Sequence, residues 1–572
     1  MILCTGVPTR AEGEQVCGGI RYETPSTPYS VINEPSPPAL PAAGVKFADP
    51  IFCTTIMRVT DANDGAVNSV SYSYWPTFNV NNTRIFIFTA NGPKLYNFDP
   101  VNFTISNKRD LFQATLPGGG FPQDEDAIWS ASNPDVVYCH QGLKLWSYNV
   151  STTSYTLLHD FASQVPGDYI WQMSRSADDN VFGFHLTQSV PDGPYPTVGY
   201  AAWRRIGNTT YSFPASQNLV NEVQIDKTGQ YLAVTYNGPP YPGGVEVRIV
   251  TLADQTGQDL QDGSPDYAPG HHDCGHGTII GHDDNLNRLT FRNLATPHLP
   301  YSLLDYPDWT IGNHVSMLAD NESWALLSTY YVNNGLPTTN IFRNELVLVA
   351  TDGSKRVKRL AHLHSPFQSG SYGEAYASTP RANISRDGRY AAFTSNWGTT
   401  TRTDVFIVKI PRSPEADLDR DLKSEIGFYR NGLWGFLQSG QGYSTNSPVF
   451  FSWGAAGKQA IVGDFDGDGK ADIGYIEPPA NGQSATYAIL LSTRNYSFAT
   501  GQPLYVPAGY PSLGDTPVVG DFDGDGKADP GIWRATQGVW IIPTSSSNYT
   551  SYIFSSWGQQ GDVPIPLLTS QY

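Results

Sequence analysis

Two short loops near the C-terminal end of the sequence carry closely spaced aspartates. The segment from Asp464 to Asp472 reads DFDGDGKAD, and the segment from Asp521 to Asp529 repeats it letter for letter. Carboxylates at alternating positions of a tightly turning backbone point into one small volume, where they repel one another unless a hard cation lies between them. Oxygen ligands at this spacing predict a Ca²⁺ site in each loop.

Each predicted site takes carboxylates from loop positions 1, 3, 5 and 9 and a backbone carbonyl from position 7, while a glycine at position 6 permits the sharp turn. Position 12 holds Tyr475 or Ile532 instead of the glutamate of a helix–loop–helix motif, so strands are expected on both sides. The predicted ligands are Asp464, Asp466, Asp468, Lys470 and Asp472 in the first loop, and Asp521, Asp523, Asp525, Lys527 and Asp529 in the second.

The histidines form a second group with possible chemistry, because eight of the eleven lie between His271 and His364. His272, His314 and Arg381 each fall near the predicted start of a strand, and they could meet if those strands surround a common channel. Imidazoles together with a carboxylate suit Mn²⁺, Zn²⁺ or Fe²⁺. The alternative is that these histidines only link neighbouring sheets through hydrogen bonds.

The elements that must position these residues are short strands in a repeated unit. From Val45 to Pro411 the sequence repeats an apolar run, a polar turn, a second apolar run and an alternating third run, at intervals of roughly 40 to 65 residues. Seven such units predict a seven-bladed β-propeller, with a series of β-sandwiches as the competing fold. The preceding segment FADPIFCTTIMRVTDA, residues 47–62, is expected to add a closing strand to the last unit.

The composition predicts an all-β chain of three parts. Glycine (55 residues), proline (43) and aromatic residues (13%) are frequent, while charged residues make up only 15% of the 572 residues, as expected for many short strands joined by tight turns. The predicted parts are an extended Pro-rich segment (1–44), in which residues 24–43 are expected to have no core to join, the seven-bladed propeller (45–411) and a small calcium-binding β domain (412–572).

Charge and hydropathy exclude some partners. A net charge of −18 argues against nucleic acid or an anionic membrane as a partner. No apolar run reaches the ~20 residues of a membrane span. Among the five cysteines, Cys4 and Cys17 could pair and leave an odd thiol, so cysteine usage alone does not decide the compartment. Eight N-x-S/T sequons would be glycan acceptors in a secretory pathway.

The C-terminal part resembles a known family in its motif GDFDGDGKADIGYI. This text is similar to the FG-GAP/VCBS repeat, the integrin-α type of β-propeller repeat found in many secreted and surface proteins, and the likeness implies calcium binding and a secreted or cell-surface location. A third, degraded copy lies upstream, with leucine in place of the turn glycine. Its residues in phase with the two loops are Asp417, Asp419, Asp421, Leu422 and Glu425.

The main part, with hairpins such as SRDGRYAAF (385–393), resembles the blades of TolB-like and oligogalacturonate-lyase-like propellers. The second likeness implies a polysaccharide lyase with a His-bound metal at the propeller mouth, and His272, His314 and Arg381 are then the candidate catalytic residues. Two functions stay open. One is a secreted or cell-surface calcium-binding propeller that binds a glycan or an extracellular protein, and the other is a carbohydrate-active lyase.

Overall fold

The computed structural model shows a chain built from β-strands and a few single-turn 3-10 helices. Within the described ranges, none of the helices is long and apolar enough to cross a membrane. The chain divides into two compact units, Met1–Ala319 with Trp324–Ile410 and Asp320–Ser323 with Pro411–Tyr572. The structure describes residues 21–23, 29–188, 196–215, 220–236, 246–260, 269–283, 286–307, 309–331, 339–365, 378–398, 402–410, 416–418, 424–467, 470–477, 479, 484–497, 502–507, 509–523, 527–562 and 564.

In its described residues, the first unit contains seven antiparallel sheets that follow one another along the chain, named here blades 1 to 7. In blade 1 the innermost segment is irregular and joins the sheet only through bridges from Ser69 to Phe88 and from Phe78 to Ile85. The strands of blades 1 to 3 are Arg84–Thr89, Gly92–Asp99 and Thr104–Asp110; Gln123–Trp129, Val136–Gln141, Lys144–Asn149 and Ser154–Asp160; and Tyr169–Arg175, Val181–Thr187, Thr197–Arg204 and Thr209–Pro214.

Blades 4 to 6 are four-stranded meanders, and blade 7 is completed from the N-terminal part of the chain. The strands of blades 4 and 5 are Val220–Ile225, Tyr231–Tyr236, Val247–Thr251 and Thr256–Leu260; and Pro269–Cys274, Thr278–Asp283, Arg288–Asn293 and Tyr301–Asp305. Those of blades 6 and 7 are Ile311–Ser316, Trp324–Tyr331, Glu345–Ala350 and Val357–His362; and Asn383–Ile384, Tyr390–Ser395, Asp404–Lys409, Thr55–Arg58 and Lys46–Ala48.

Each blade buries its faces against its neighbours, which a single antiparallel sheet cannot do alone. Separate apolar clusters join blades 1 and 2, 2 and 3, 3 and 4, 4 and 5, and 5 and 6. Blades 6 and 7 are joined by the hydroxyl of Ser328, which accepts a hydrogen bond from the Ala382 N–H at 3.1 Å. One more cluster packs Ile407 of blade 7 against Ile85 of blade 1. The blades are therefore arranged in a propeller-like succession that returns to its start.

The first hairpin of several blades is closed by the same device. A polar residue at the end of the first strand accepts backbone hydrogen bonds across the turn, as Asp226 does from the N–H groups of Gln230 (2.8 Å) and Tyr231 (2.9 Å). The turn also needs a residue in the left-handed region, which Gly229 and Gly388 supply at φ 70° without the steric strain of a side chain. These turns hold the inner strands in register.

The predicted closing strand is confirmed. Thr55–Arg58 pairs with the third strand of blade 7, with Met57 opposite Ile407. The side chain of Arg58 also binds Asp404 across this junction at 2.8 Å, with both side chains almost fully buried. The blade thus joins residues that are about 350 positions apart in the chain, as ring closure requires.

The prediction that the N-terminal segment joins no core is wrong. Arg21–Glu23 adds an edge strand to blade 6, and Tyr29 packs against Phe342. The physical reason is Arg359, which is fully buried with Glu345 and whose guanidinium also donates to the Ser30 carbonyl at 2.6 Å. A buried guanidinium has five N–H donors, and the N-terminal segment supplies acceptors for them.

The structure describes three of the five cysteines. Cys53 is disulfide-bonded. Cys139 and Cys274 are buried thiols outside any disulfide. Cys4 and Cys17, for which a mutual pairing is predicted, lie outside the described residues.

The second unit contains three further antiparallel sheets in its described residues, named here repeats 1 to 3. Short 3-10 turns follow a strand in each repeat. The strands are Ile426–Arg430, Leu433–Leu437 and Val449–Ser452; Gln459–Gly463, Asp472–Glu477, Thr486–Leu490 and Leu504–Pro507; and Asp515–Gly520, Asp529–Arg534, Val539–Pro543 and Tyr552–Ser556. The 3-10 helices within the described residues are Ala62–Asp64, Ser439–Gln441, Ser492–Arg494, Pro511–Leu513 and Ser545–Ser547.

Candidate ligand cavity and candidate metal centres

In a four-stranded meander the first strand begins, the second ends and the third begins at the same edge. Blades 4, 5 and 6 bring these edges together around a cavity of about 340 Å³, called here the mouth cavity. Glu222, His272 and Asn313 reach it from the first strands of the three blades, and Tyr236 and Tyr330 from the ends of second strands. The predicted meeting of inner-strand starts therefore occurs, though with a different set of residues.

His271 is the exposed imidazole of the cavity. Its ring stacks on that of His314 with centroids 4.6 Å apart and planes 16° apart. Its Nδ1 lies 2.9 Å from the carbonyl oxygen of Asn313, which fixes the ring against blade 6. The sequence predicts His272 of this pair as the functional residue, whereas in the structure His271 is exposed and His272 is buried, and both line the cavity.

His314 lies beneath His271 and has no solvent exposure. The edge of the Tyr72 ring meets it at a centroid distance of 5.2 Å. Burial holds the pKa of His314 well below its ordinary value, and the nearby His271 and Arg381 lower the pKa further. This imidazole is therefore neutral at physiological pH, and as a packed group it does not reach a ligand in the cavity.

Arg381 lies near His314 but is not among the residues that line the cavity. Its backbone has φ 44°, in the left-handed region that non-glycine residues seldom adopt. Of the three candidate catalytic residues, the structure thus places His272 in the cavity wall, and His314 and Arg381 behind it.

Several buried polar atoms of the cavity wall have no hydrogen-bond partner among the described residues. Asn313 is 1% exposed, and both its amide nitrogen and its amide oxygen are in this state. The same holds for Nε2 of His272, whose Nδ1 contacts the Gly270 carbonyl at 2.8 Å, and for the hydroxyl of Thr235. Buried polar groups are normally satisfied by protein, water or a ligand, so donors and acceptors that converge on one cavity could be satisfied by a polar molecule there.

Sequence reasoning missed Glu222 and Asn313 because neither belongs to a motif. The available indication was positional. Glu222, His271 and Asn313 are each the third residue of a first strand, and all three line the cavity. Side chains at matched positions in neighbouring inner strands face the same part of a propeller channel.

Other histidines of the cluster are structural. Nδ1 of His362 lies 3.3 Å from Asp49, with both side chains fully buried, and Nδ1 of His364 lies 3.1 Å from Glu34. These contacts tie blade 6 and its flank to the N-terminal part of the chain. For His362 and His364, they support the alternative that the histidines only link neighbouring parts of the fold through hydrogen bonds.

The described residues do not fit a His-bound transition metal. Nε2 of His272 lies 3.9 Å from Glu222, which supplies one imidazole and one carboxylate. Among described residues, only aspartates bring three ligand atoms within 4.8 Å of one another, and both such groups lie in the second unit. No chemical step is therefore assigned here to Mn²⁺, Zn²⁺ or Fe²⁺.

The two aspartate groups lie in the loops singled out from the sequence. Each loop runs from the end of one strand to the start of the next, as predicted, and the three carboxylates of each group could hold an ion such as Ca²⁺. Asp468 and Asp525 lie outside the described residues, and the carbonyls of Lys470 and Lys527 stay predicted ligands. The groups are Asp464, Asp466 and Asp472, and Asp521, Asp523 and Asp529.

The aspartate at position 9 also holds each loop together. Asp472 accepts hydrogen bonds from the Phe465 N–H at 2.8 Å and, with its other oxygen, from the Ser492 N–H at 2.6 Å. Asp529 accepts from the N–H groups of Phe522 and Ser545 in the same pattern, at 2.8 and 2.7 Å. These bonds join the loop to the 3-10 turn after the third segment of the repeat, so part of the loop's order does not require an ion.

Repeat 1 keeps this connection although its loop is degraded. Glu425 accepts hydrogen bonds from the N–H of Leu418 and, with its other oxygen, from the N–H (3.2 Å) and hydroxyl (3.0 Å) of Ser439. Asp419 and Asp421 lie outside the described residues. The longer glutamate thus does in repeat 1 what Asp472 does in repeat 2.

Successive loops are joined by backbone hydrogen bonds. The Ala471 N–H donates to the Asp417 carbonyl at 2.6 Å, and the Ala528 N–H donates to the Asp464 carbonyl at 2.7 Å. The loops therefore stack in register from repeat to repeat. An ion that orders one loop would also support the next.

Comparisons with known proteins bear on the fold. No protein-family model and no curated protein matches the chain, so membership of the FG-GAP/VCBS family stays a prediction. An oligogalacturonate lyase in complex with manganese is 10% identical, over 66% of this chain and 98% of that one, with a TM-score of 0.48. An oligogalacturonate lyase from Vibrio parahaemolyticus is also 10% identical, over 65% and 99%, with a TM-score of 0.47.

A β-propeller domain from Myceliophteria thermophila is 11% identical, over 60% of this chain and 98% of that one, with a TM-score of 0.35. These likenesses involve the propeller-like arrangement of blades and carry no argument about activity. The chain is an all-β protein with propeller-like blades.

Proposed function

We propose that this chain is an extracytoplasmic glycan-binding protein, in which a seven-bladed β-propeller holds a sugar in the mouth cavity and an FG-GAP/VCBS-like calcium-binding domain follows. The observation that carries the proposal is the set of unsatisfied polar atoms in the cavity wall, led by the side-chain amide of Asn313. A sugar hydroxyl both donates and accepts hydrogen bonds, so one ring hydroxyl pair could satisfy both ends of that amide.

The size of the cavity favours a small ligand over a protein surface. A volume of 340 Å³ lies at the low end of the ~300–1,000 Å³ of small-molecule sites and suits one or two sugar rings. The rings of Tyr72, Tyr236 and Tyr330 line it and offer flat apolar faces to the C–H groups of a pyranose. Polar groups at the base with aromatic rings beside them suit a glycan.

The aspartate loops support a location outside the cytoplasm. Extracellular calcium modules bind with dissociation constants of about 10⁻⁴–10⁻³ M, far above cytosolic calcium concentrations, so such loops are useful where calcium is abundant. The disulfide at Cys53 is in keeping with an oxidising compartment.

Glycan-binding titrations of the intact protein with and without Asn313→Ala test this function. The substitution removes a donor and an acceptor from the cavity, so the affinity should fall by tenfold or more. Asn133→Ala, at an exposed hairpin position outside the cavity, is the matched control and should bind as the wild type. Equal affinity of Asn313→Ala and the control would contradict a site at this cavity.

A lyase is the second candidate, favoured by the position of Arg381. Its charge lies near His314, behind the exposed imidazole of His271, and its φ of 44° is the kind of strain found at functional sites. In such an enzyme His271 would take the proton from the carbon beside a uronate carboxylate. The electrons of that C–H bond would form a double bond as the glycosidic oxygen leaves.

An assay for unsaturated products from polyuronates separates the two candidates. Turnover that is lost in His271→Ala, with the fold intact by circular dichroism, would establish the lyase. If the protein binds glycans through Asn313 and shows no turnover, the lyase is contradicted and the binding function remains.

A further inference from the structure

The mouth cavity has an uneven distribution of charge. Among the described residues that line it are the carboxylates of Glu222 and Glu246, and none of these described residues is a lysine or an arginine. Arg381 lies near His314, which is fully buried and is not a lining residue of the cavity. Arg248, near the lining residue Tyr236, is paired with Asp259. A ligand in the cavity therefore meets negative charge first, within a chain whose net charge is −18.

Glu222 is placed to face a ligand. Its side chain is 18% exposed, so the carboxylate is partly desolvated but accessible. Gln224 donates its side-chain amide to one carboxylate oxygen of Glu222, and this orients the group. Among the described residues, the nearest ion-pair contact of this carboxylate is to Nε2 of His272 at 3.9 Å, which is longer than a hydrogen bond.

The aromatic rings add to the same preference. Tyr72, Tyr236 and Tyr330 line the same cavity as the two carboxylates. The face of an aromatic ring is negative, so it attracts a cation, most of all where water is excluded. Gly312 allows the Tyr330 ring to lie close against the inner strand, because a Cβ atom there would come within 2.4 Å of that ring.

We infer that the mouth cavity selects a sugar that carries a protonated amine over a neutral or an acidic sugar. The inference rests on the proposed function and specifies its ligand class. The ammonium group lies between the Glu222 carboxylate and the tyrosine rings, while the sugar hydroxyls meet Asn313 and His272. An acidic sugar would bring its carboxylate towards Glu222 and Glu246 without a lysine or arginine of the wall to offset the repulsion.

The test is a titration of the intact protein, at millimolar calcium, with three tetrasaccharides: glucosamine, its fully N-acetylated form and galacturonate. Acetylation removes the positive charge while keeping the ring. We expect the glucosamine tetramer to bind at least tenfold more tightly than the acetylated one, with an affinity that falls as salt is raised. The galacturonate tetramer should not saturate the protein.

Two isosteric variants locate the effect. Glu222→Gln should remove most of the preference for glucosamine, so that the affinity for the glucosamine tetramer falls at least tenfold towards that of the acetylated one. Asp254→Asn removes one negative charge from an exposed turn of the same blade, outside the cavity, and should change neither affinity. A preference that survives Glu222→Gln would overturn the assignment of the amine to this carboxylate.

The outcomes separate this inference from the function on which it rests. If none of the three tetrasaccharides binds, the glycan-binding function fails and the inference fails with it. If the acetylated or the galacturonate tetramer binds as tightly as the glucosamine one, and binding depends on Asn313, the cavity is a glycan site and only the amine preference is overturned.

Discussion

The aspartate loops and the mouth cavity both contain carboxylates, but they are built in opposite ways. In each aspartate loop, the carboxylates come from nine consecutive residues and face one another within 4.8 Å. In the mouth cavity, Glu222, His272 and Asn313 come from three blades and span about 90 positions of the chain. The loop needs only its own turn, whereas the cavity needs the whole arrangement of blades.

The difference in construction leads to a difference in chemistry. Three carboxylates that face one another leave room only for a cation, and their all-oxygen character suits Ca²⁺. The carboxylate of the cavity instead stands beside an imidazole, an amide and aromatic rings, a mixture typical of organic-ligand sites. Acidic residues alone therefore do not define a metal site. The neighbouring side chains decide whether the site suits a cation or an organic ligand.

The largest expected effect concerns the buried acid at position 9. Asp472→Ala should lower the free energy of unfolding of the second unit by about 3–5 kcal/mol, because two backbone N–H groups lose a charged acceptor in a buried site. Chemical denaturation with calcium and with chelator measures it. Glu425→Ala should cost a similar amount under both conditions, since its bonds to Leu418 and Ser439 need no ion.

For Asp472→Ala, the loss should be larger with calcium than with chelator. A loss in Glu425→Ala that depends on calcium as strongly as that of Asp472→Ala would show that repeat 1 also holds an ion, and it would break the contrast between the loops.

The next effect concerns pH and the first unit alone. Burial lowers the pKa of His185 to about 4, and its Nε2 lies 2.9 Å from the Thr197 hydroxyl. In the unfolded chain this histidine titrates near 6.5, so the unfolded state binds more protons between pH ~6.5 and ~4. The free energy of unfolding should therefore decrease as the pH is lowered across that window, by about 3 kcal/mol from this group.

Thermal unfolding of the wild type and of His185→Gln at several pH values measures that contribution. The variant lacks the titrating imidazole, so the decline of its melting temperature towards pH 4 should be shallower. Parallel curves for the two proteins would contradict a neutral, buried His185.

The smallest expected effect concerns the shape of the mouth cavity. Gly312→Ala places a methyl group where an ideal Cβ lies 2.4 Å from the Tyr330 ring, so the ring must move. Glycan affinity should fall by about tenfold, equal to about 1.4 kcal/mol, while the calcium content stays the same. Unchanged affinity in a folded variant would remove Tyr330 from the binding site.

Much of the fold could be predicted from the sequence because it is local. The hairpins at Asp226 and Asp387 have turn residues that each strand pair needs, and the place of residues 47–62 before the first unit predicts a closing strand, which the structure forms at Thr55–Arg58. The aspartate loops were found for the same reason, since spacing within nine residues carries the geometry.

What could not be predicted depends on contacts between distant parts of the chain. The N-terminal segment joins blade 6 because Arg359 is buried there and needs hydrogen-bond acceptors. No pattern in residues 24–43 predicts this contact. Asn313 and Glu222 become binding-site candidates only when three blades meet, and His314 loses that role because the same packing buries it.

A metal count tests the central contrast most directly. The intact protein is dialysed against metal-buffered solution at millimolar calcium and its elements are measured per chain. We expect two calcium ions per chain, bound by the loops at Asp464 and Asp521, and no transition metal. About one manganese, zinc or iron ion per chain that disappears in His272→Ala would contradict it, because the mouth cavity would then be a metal centre.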